Sequence, residues 1–141
     1  MTAPPDGVEV VPRLWIGSNR TCDVLRQNFS FVCINCGVKA HTQDQRCNFI
    51  PVCSGPNGFV DYAAMARVER LLIPQRPQGN VLIHCADALT YSPLVAALWL
   101  STYYNQPLAT SYQWVKAAQP GLQDLSRLAQ PVSTNTAWAG R

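Results

Sequence analysis

The stretch VLIHCADALTYSP, residues 81–93, decides how this chain is read. It begins as an apolar run, Val81-Leu82-Ile83, passes through His84-Cys85, and five residues later reaches Tyr91 and Ser92-Pro93, which open an apolar periodic segment. The pattern predicts strand, loop and helix in that order. Such a loop can wrap backbone N–H groups around an anion, and the positive end of the following helix adds to the attraction. A phosphate is then held with few side chains, and a cysteine at the base of the nest is favoured as a thiolate and nucleophile. Cys85 stands at that base.

Outward from this loop, strand-like and helix-like segments alternate. Val10 to Ile16, Phe31 to Cys36 and Phe49 to Cys53 read as strands, with a short helix over Cys22 to Gln27. Gly55-Pro56-Asn57-Gly58 is a turn, and Asp61 is placed to cap a helix that puts Met65, Val68 and Leu72 on one face until Pro74. A loop over Gln75 to Asn80 returns to the sheet. Ser92 fits a helix cap with Pro93 at the first helical position, and Leu94 to Leu100 is too continuously apolar for a surface helix. Thr110 to Ala118 and Asp124 to Ala129 add further helix. The sum is an α/β domain, a central and mostly parallel sheet flanked by helices, over residues 9–130. Residues 1–8 and 131–141 read as flexible ends.

The stretch at 81–93 resembles the HCxxxxxR(S/T) signature of the protein tyrosine phosphatase superfamily, most closely its small dual-specificity group. Further segments are similar to that group in order and spacing: VPRLWIGS (11–18), FVCINCG (31–37), FIPV (49–52) and TSYQWVKAAQPG (110–121). The resemblance covers about residues 8–130. It implies that Cys85 holds the nucleophile position, that His84 and Thr90 support it, and that Ala86, Asp87, Ala88, Leu89, Tyr91 and Ser92 form the substrate-binding loop.

Several of those positions carry the wrong chemistry. The resemblance puts arginine at 91, where a guanidinium would grip two phosphate oxygens; Tyr91 offers one neutral donor in place of five charged ones. The loop glycine is Ala88, and a residue that must take a positive φ is strained by its Cβ. Asp87 brings a negative charge into a ring built for an anion, and repels phosphate unless it points away or stays protonated. The general acid, which follows the FIPV-like strand in that group, is replaced by Ser54; Asp61 is the next carboxylate and a weaker substitute than a cap. Losing a general acid costs about 10²- to 10⁴-fold and losing one transition-state donor about 10²- to 10³-fold. Together they remove about 10⁴- to 10⁷-fold. The expected function is a catalytically impaired, pseudophosphatase-like domain that binds a protein partner, including a phosphorylated one. The alternative is an active phosphatase that hydrolyses phosphomonoesters through a phosphocysteine at Cys85.

Composition narrows the remaining classes. With 141 residues, 48% hydrophobic and 13% charged, the chain suits one domain with a real core. The net charge of +3 is spread without a basic run, which argues against nucleic acid. No stretch is long and apolar enough to span a membrane and the first ten residues do not form a leader, so an intracellular, cytoplasmic protein is expected. Six unevenly spaced cysteines read as reduced thiols rather than a disulfide framework. Cys33 and Cys36, followed by Cys47 and Cys53, have zinc-ligand chemistry. FVCINC reads as a strand with alternate residues facing opposite sides, so no metal and no cofactor are expected. Arg67 and Arg70 share a solvated helix face, whereas Arg20 or Arg76 could reach the loop in place of the missing arginine. Trp99, Trp114, Tyr103 and Tyr104 have the helical spacing of core residues.

Overall fold

The computed structural model describes residues 7–28, 31–39, 47–54, 58–75 and 80–129. The tail after Pro131, Arg76 and most of the Gly55–Gly58 turn lie outside the described residues. Strands β1 (Val8–Val11), β2 (Leu14–Ser18), β3 (Phe31–Asn35), β4 (Asn48–Phe49) and β5 (Asn80–Cys85) form one sheet in the order β1-β2-β5-β3-β4. All pairs are parallel except the β1–β2 hairpin. Helices α1 (Asn19–Asn28), α2 (Tyr62–Gln75), α3 (Tyr91–Tyr103) and α4 (Leu108–Ala118) flank it, with a 3-10 turn at Ser126–Ala129. This is the α/β architecture read from the sequence.

Strand β5 lies at the centre and fixes the site. Its register pairs Ile83 with Ile16 and Ile34, and His84 with Gly17 and Asn35, so alternate side chains of three strands share faces. Leu14, Ile16, Ile34, Val81 and Ile83 face the large core with Met65, Val68 and Leu72 of α2 and the apolar run of α3. Leu82, Cys33 and Cys22 form a smaller cluster on the opposite face, beneath α1. Residues 92–101 of α3 are buried without interruption, which matches its lack of a polar face. Helix α1 starts on a reciprocal cap: the Ser18 N–H donates to Thr21 Oγ1 at 3.0 Å, and the Thr21 N–H to Ser18 Oγ at 3.4 Å. A Cβ on Gly17 would fall 2.4 Å from Thr21 Oγ1, so glycine is required where α1 packs on the sheet.

Several boundaries differ from the sequence reading. The expected strand over residues 10–16 is a hairpin, because Pro12 cannot donate a ladder hydrogen bond and Arg13 turns the chain at φ 70°. Val8, placed in the flexible N-terminus, pairs with Ile16. The third strand is only Asn48–Phe49, since Pro51 lacks the N–H needed to continue a ladder. Helix α2 ends at Gln75, one residue past Pro74. Helix α3 begins at Tyr91, one residue before the expected Ser92 cap, leaving Pro93 inside a first turn where its missing N–H costs nothing. Asp124 to Ala129 is helical only as the 3-10 turn. Of the four aromatics, Trp99 alone is core, at 1% exposure; Tyr103, Tyr104 and Trp114 are 49%, 42% and 39% exposed.

Candidate active site loop

The end of β5 delivers Cys85 to the C-terminal edge of the parallel strands, the usual ligand position in an open α/β sheet. Its thiol is fully buried, and four groups surround the sulfur. The backbone N–H of Ser92, in the first turn of α3, points at it from 3.3 Å, and Ser92 Oγ lies 3.4 Å away while donating to the Gly17 carbonyl at 3.3 Å. Thr90 Oγ1 is 3.8 Å distant, and the thiol reaches Asp87 Oδ1 at 3.7 Å. The structure thus places Cys85, Asp87, Thr90 and Ser92 together, with Ser92 contacting sulfur rather than capping the helix.

Asp87 turns toward the loop. Its Oδ1 accepts the Leu89 N–H at 3.0 Å and the Thr90 hydroxyl at 2.9 Å, besides the Cys85 thiol. Burial works to raise its pKa, but the hydrogen bonds from Leu89, Thr90 and Cys85 outweigh burial and hold the carboxyl below its ordinary value. The carboxylate therefore stays ionised at neutral pH and occupies the Leu89 N–H and the Thr90 hydroxyl. A backbone bridge between Asp87 and Ser18 fixes this arrangement. Ala88 is buried at φ 67°, the left-handed conformation expected from its place in the loop. Leu89 and Ala86 are exposed at the rim, and the Leu89 carbonyl is tied to the Gln123 N–H at 2.8 Å.

Tyr91 is half-buried and packs against the main core. It supplies no cation to the loop, and Arg20 is exposed on α1 with no bond from its guanidinium to the loop among the described residues. Ser54 is exposed, and its hydroxyl approaches Asp61 Oδ2 at 3.5 Å. Asp61 Oδ1 meanwhile accepts the N–H groups of Ala63 and Ala64 at 3.0 and 3.3 Å, the bonding of a helix cap. Arg67 and Arg70 line an open groove of about 380 Å³ beside Phe49, away from Cys85.

His84 points to the opposite face of the sheet from Cys85. Its Nδ1 lies 3.0 Å from Asn19 Oδ1 and its Nε2 3.0 Å from Cys47 Sγ. Cys22 and Cys33 approach to 3.7 Å nearby. Hydrogen bonds to Cys33 and Cys47 push the Cys22 thiol far down against the effect of burial, with His84 adding to the shift. Burial instead pushes Cys53 up to about 11 and Cys36 well above the ordinary thiol value. The CxxC pair is split, Cys33 under α1 and Cys36 in the main core, as strand alternation required. Asn19, Cys22 and Cys47 were not read as neighbours of His84. The parity of Cys33 and His84 in adjacent strands carried a partial signal, whereas the others approach only through the packing of α1 and the segment before β4.

Compared by sequence, the chain matches no family profile and no curated protein. Compared by structure, it is similar to human DUSP28 at 22% identity and a TM-score of 0.71, over 89% of this chain and 88% of that one. The fold is that of the dual-specificity phosphatases. It is also similar to a human tyrosine phosphatase-like serine/threonine/tyrosine-interacting protein, at 14% identity and a TM-score of 0.68, over 87% of this chain and 90% of that one. A phosphatase of Cydia pomonella, PTP-2, aligns at 12% identity and a TM-score of 0.72, covering 87% of this chain and 85% of its own. No helix among the described residues is long and apolar enough to cross a membrane.

Proposed function

We propose that this domain is a phosphatase-like binding module whose catalytic loop is filled by its own carboxylate. The observation that carries this reading is the Asp87 side chain, which accepts the Leu89 N–H, the Thr90 hydroxyl and the Cys85 thiol where phosphate oxygens would otherwise be bound. Three further features support it: no arginine at position 91, Ser54 at the acid position, and a fully buried Cys85. A nucleophile that is shielded by a fixed anion and has neither a transition-state cation nor a proton donor has little means of phosphoryl transfer.

We take the partner to be a protein, and the exposed rings of Tyr103, Tyr104 and Trp114, backed by the buried Trp99, support that reading. Trp99 stacks on Tyr103 at 4.6 Å, Tyr103 meets Tyr104 edge-on at 4.9 Å, and Tyr104 meets Trp114 at 5.3 Å. Rigid aromatics on a folded base are favourable hot-spot chemistry, because they bury much area at small entropic cost. A phosphorylated partner would need the loop emptied of Asp87 first, so an unmodified surface is the simpler ligand.

The deciding experiment is hydrolysis of an aryl phosphate by the purified protein and its Cys85→Ser variant. Equal rates at background level are expected. Cysteine-dependent turnover, or a phosphocysteine trapped on Cys85, would overturn this reading in favour of an active phosphatase.

A further inference from the structure

Four metal-ligating side chains from four segments converge behind the loop, on the face of the sheet opposite Cys85. Cys22 comes from α1, Cys33 from β3, Cys47 from the residue before β4, and His84 from β5. The donor atoms of Cys22, Cys47 and His84 all lie within 4.8 Å of one another; Cys33 Sγ is 3.7 Å from Cys22 Sγ but stands outside that group of three. Cys22, Cys33 and His84 are buried and Cys47 is half-buried.

We propose that Cys22, Cys47 and His84 form a structural zinc site, which Cys33 completes as fourth ligand by moving in from beside Cys22. A tetrahedral zinc with Zn–S of about 2.3 Å and Zn–N of about 2.0–2.1 Å has S···S edges of about 3.8 Å and S···N edges of about 3.6 Å. The Cys22–Cys33 separation of 3.7 Å already has that length, and the 3.0 Å between Cys47 Sγ and His84 Nε2 needs to open by only about half an ångström. Three thiolates and one imidazole select zinc over the oxygen-seeking cations.

The histidine is already oriented as a ligand. Asn19 Oδ1 can only accept, so its 3.0 Å contact places the imidazole proton on Nδ1 and leaves the Nε2 lone pair facing the sulfurs. Zinc-ligating histidines commonly have this outer hydrogen bond. Binding releases the thiol protons to solvent and involves no electron transfer. The bound ion would join α1, β3, β4 and β5 at the residue directly before Cys85. The site is separate from the binding-module reading, and holds whether or not the loop accepts an anion.

The test begins with the intact protein purified under thiol reductant without chelator, and its zinc measured by mass spectrometry. About one zinc per chain is expected, lost in Cys22→Ser and in Cys47→Ser but kept in Cys53→Ala. Chelator-stripped wild type should take up Co(II) with the visible bands of a tetrahedral thiolate site. Zinc should also raise its melting temperature and protect three cysteines from alkylation. These wild-type readouts decide the matter even where a variant fails to fold. The proposal is overturned if the wild type holds less than about a tenth of an equivalent and gives only an octahedral cobalt spectrum. Retention of zinc in both serine variants would also overturn it, as would a Cys22–Cys33 disulfide that persists in protein purified under thiol reductant.

Discussion

Replacing Asp87 with asparagine should open the loop to oxyanions. The asparagine carbonyl oxygen can still accept the Leu89 N–H and the Thr90 hydroxyl, which the carboxylate holds at 3.0 and 2.9 Å, so the loop keeps its shape while losing one charge. An oxyanion seated over the Cys85 sulfur would compete for space with a carboxylate oxygen that lies 3.7 Å from it. At about 4 Å two unit charges repel by about 1 kcal/mol in water-like surroundings and by about 4 kcal/mol at an effective dielectric of 20. Because Asp87 is exposed, the lower part of that range applies, and a net gain of about 1–2 kcal/mol corresponds to affinity improved by about 5- to 30-fold. Tungstate titration by calorimetry at low salt measures it, and the gain should shrink as salt screens the charge. A folded Asp87→Asn variant that binds tungstate within twofold of the wild type would refute the view that this carboxylate is the competing anion.

Three other outcomes follow from the same loop. Adding Tyr91→Arg to Asp87→Asn should tighten oxyanion binding again with little turnover, and adding Ser54→Asp as well should raise aryl phosphate hydrolysis by about 10²-fold or more, read as kcat. Ala88→Gly should stabilise the domain by about 0.5–1 kcal/mol in chemical denaturation, since relief of the φ 67° strain exceeds the entropy glycine restores to the unfolded chain. Asp87 and Asp124 both have carboxyls held below their ordinary value, by hydrogen bonds that outweigh burial at Asp87 and chiefly by the Ser126 backbone N–H at Asp124. Their contribution to stability is complete above the unfolded-chain value near pH 4, and is lost as pH falls through their lower folded-state values. The melting temperature of Asp87→Asn should therefore decline less steeply than that of the wild type below about pH 4.

Much of the architecture was legible in the chain because its signals are local. The run Leu94 to Leu100 could belong only to a buried helix, Met65, Val68 and Leu72 fall at helical spacing, and Asp61 stands where a cap is needed; all behave so in the structure. The misread boundaries are places where one residue removes a backbone donor or reverses the chain. Pro51 shortens a strand, and Pro12 with Arg13 folds another into a hairpin. The exposed aromatics were misassigned for a different reason: helical spacing shows which side chains share a face, but not whether another element covers it.

The sequence by itself determined that Cys85 ends a strand at the base of a strand–loop–helix turn, that no arginine follows at 91, and that glycine is missing at 88, because these depend on residue type and spacing along one strand, loop and helix. Only the tertiary structure decided what the altered loop does with its charge and what lies behind it. Whether the Asp87 carboxylate points away from the loop or turns into it depends on a side-chain direction set by the Leu89 N–H and Thr90, which residue type does not encode. Cys22, Cys47 and His84 are far apart in the chain, and meet because the parallel register of β3 and β5 and the packing of α1 bring them to one side of the sheet.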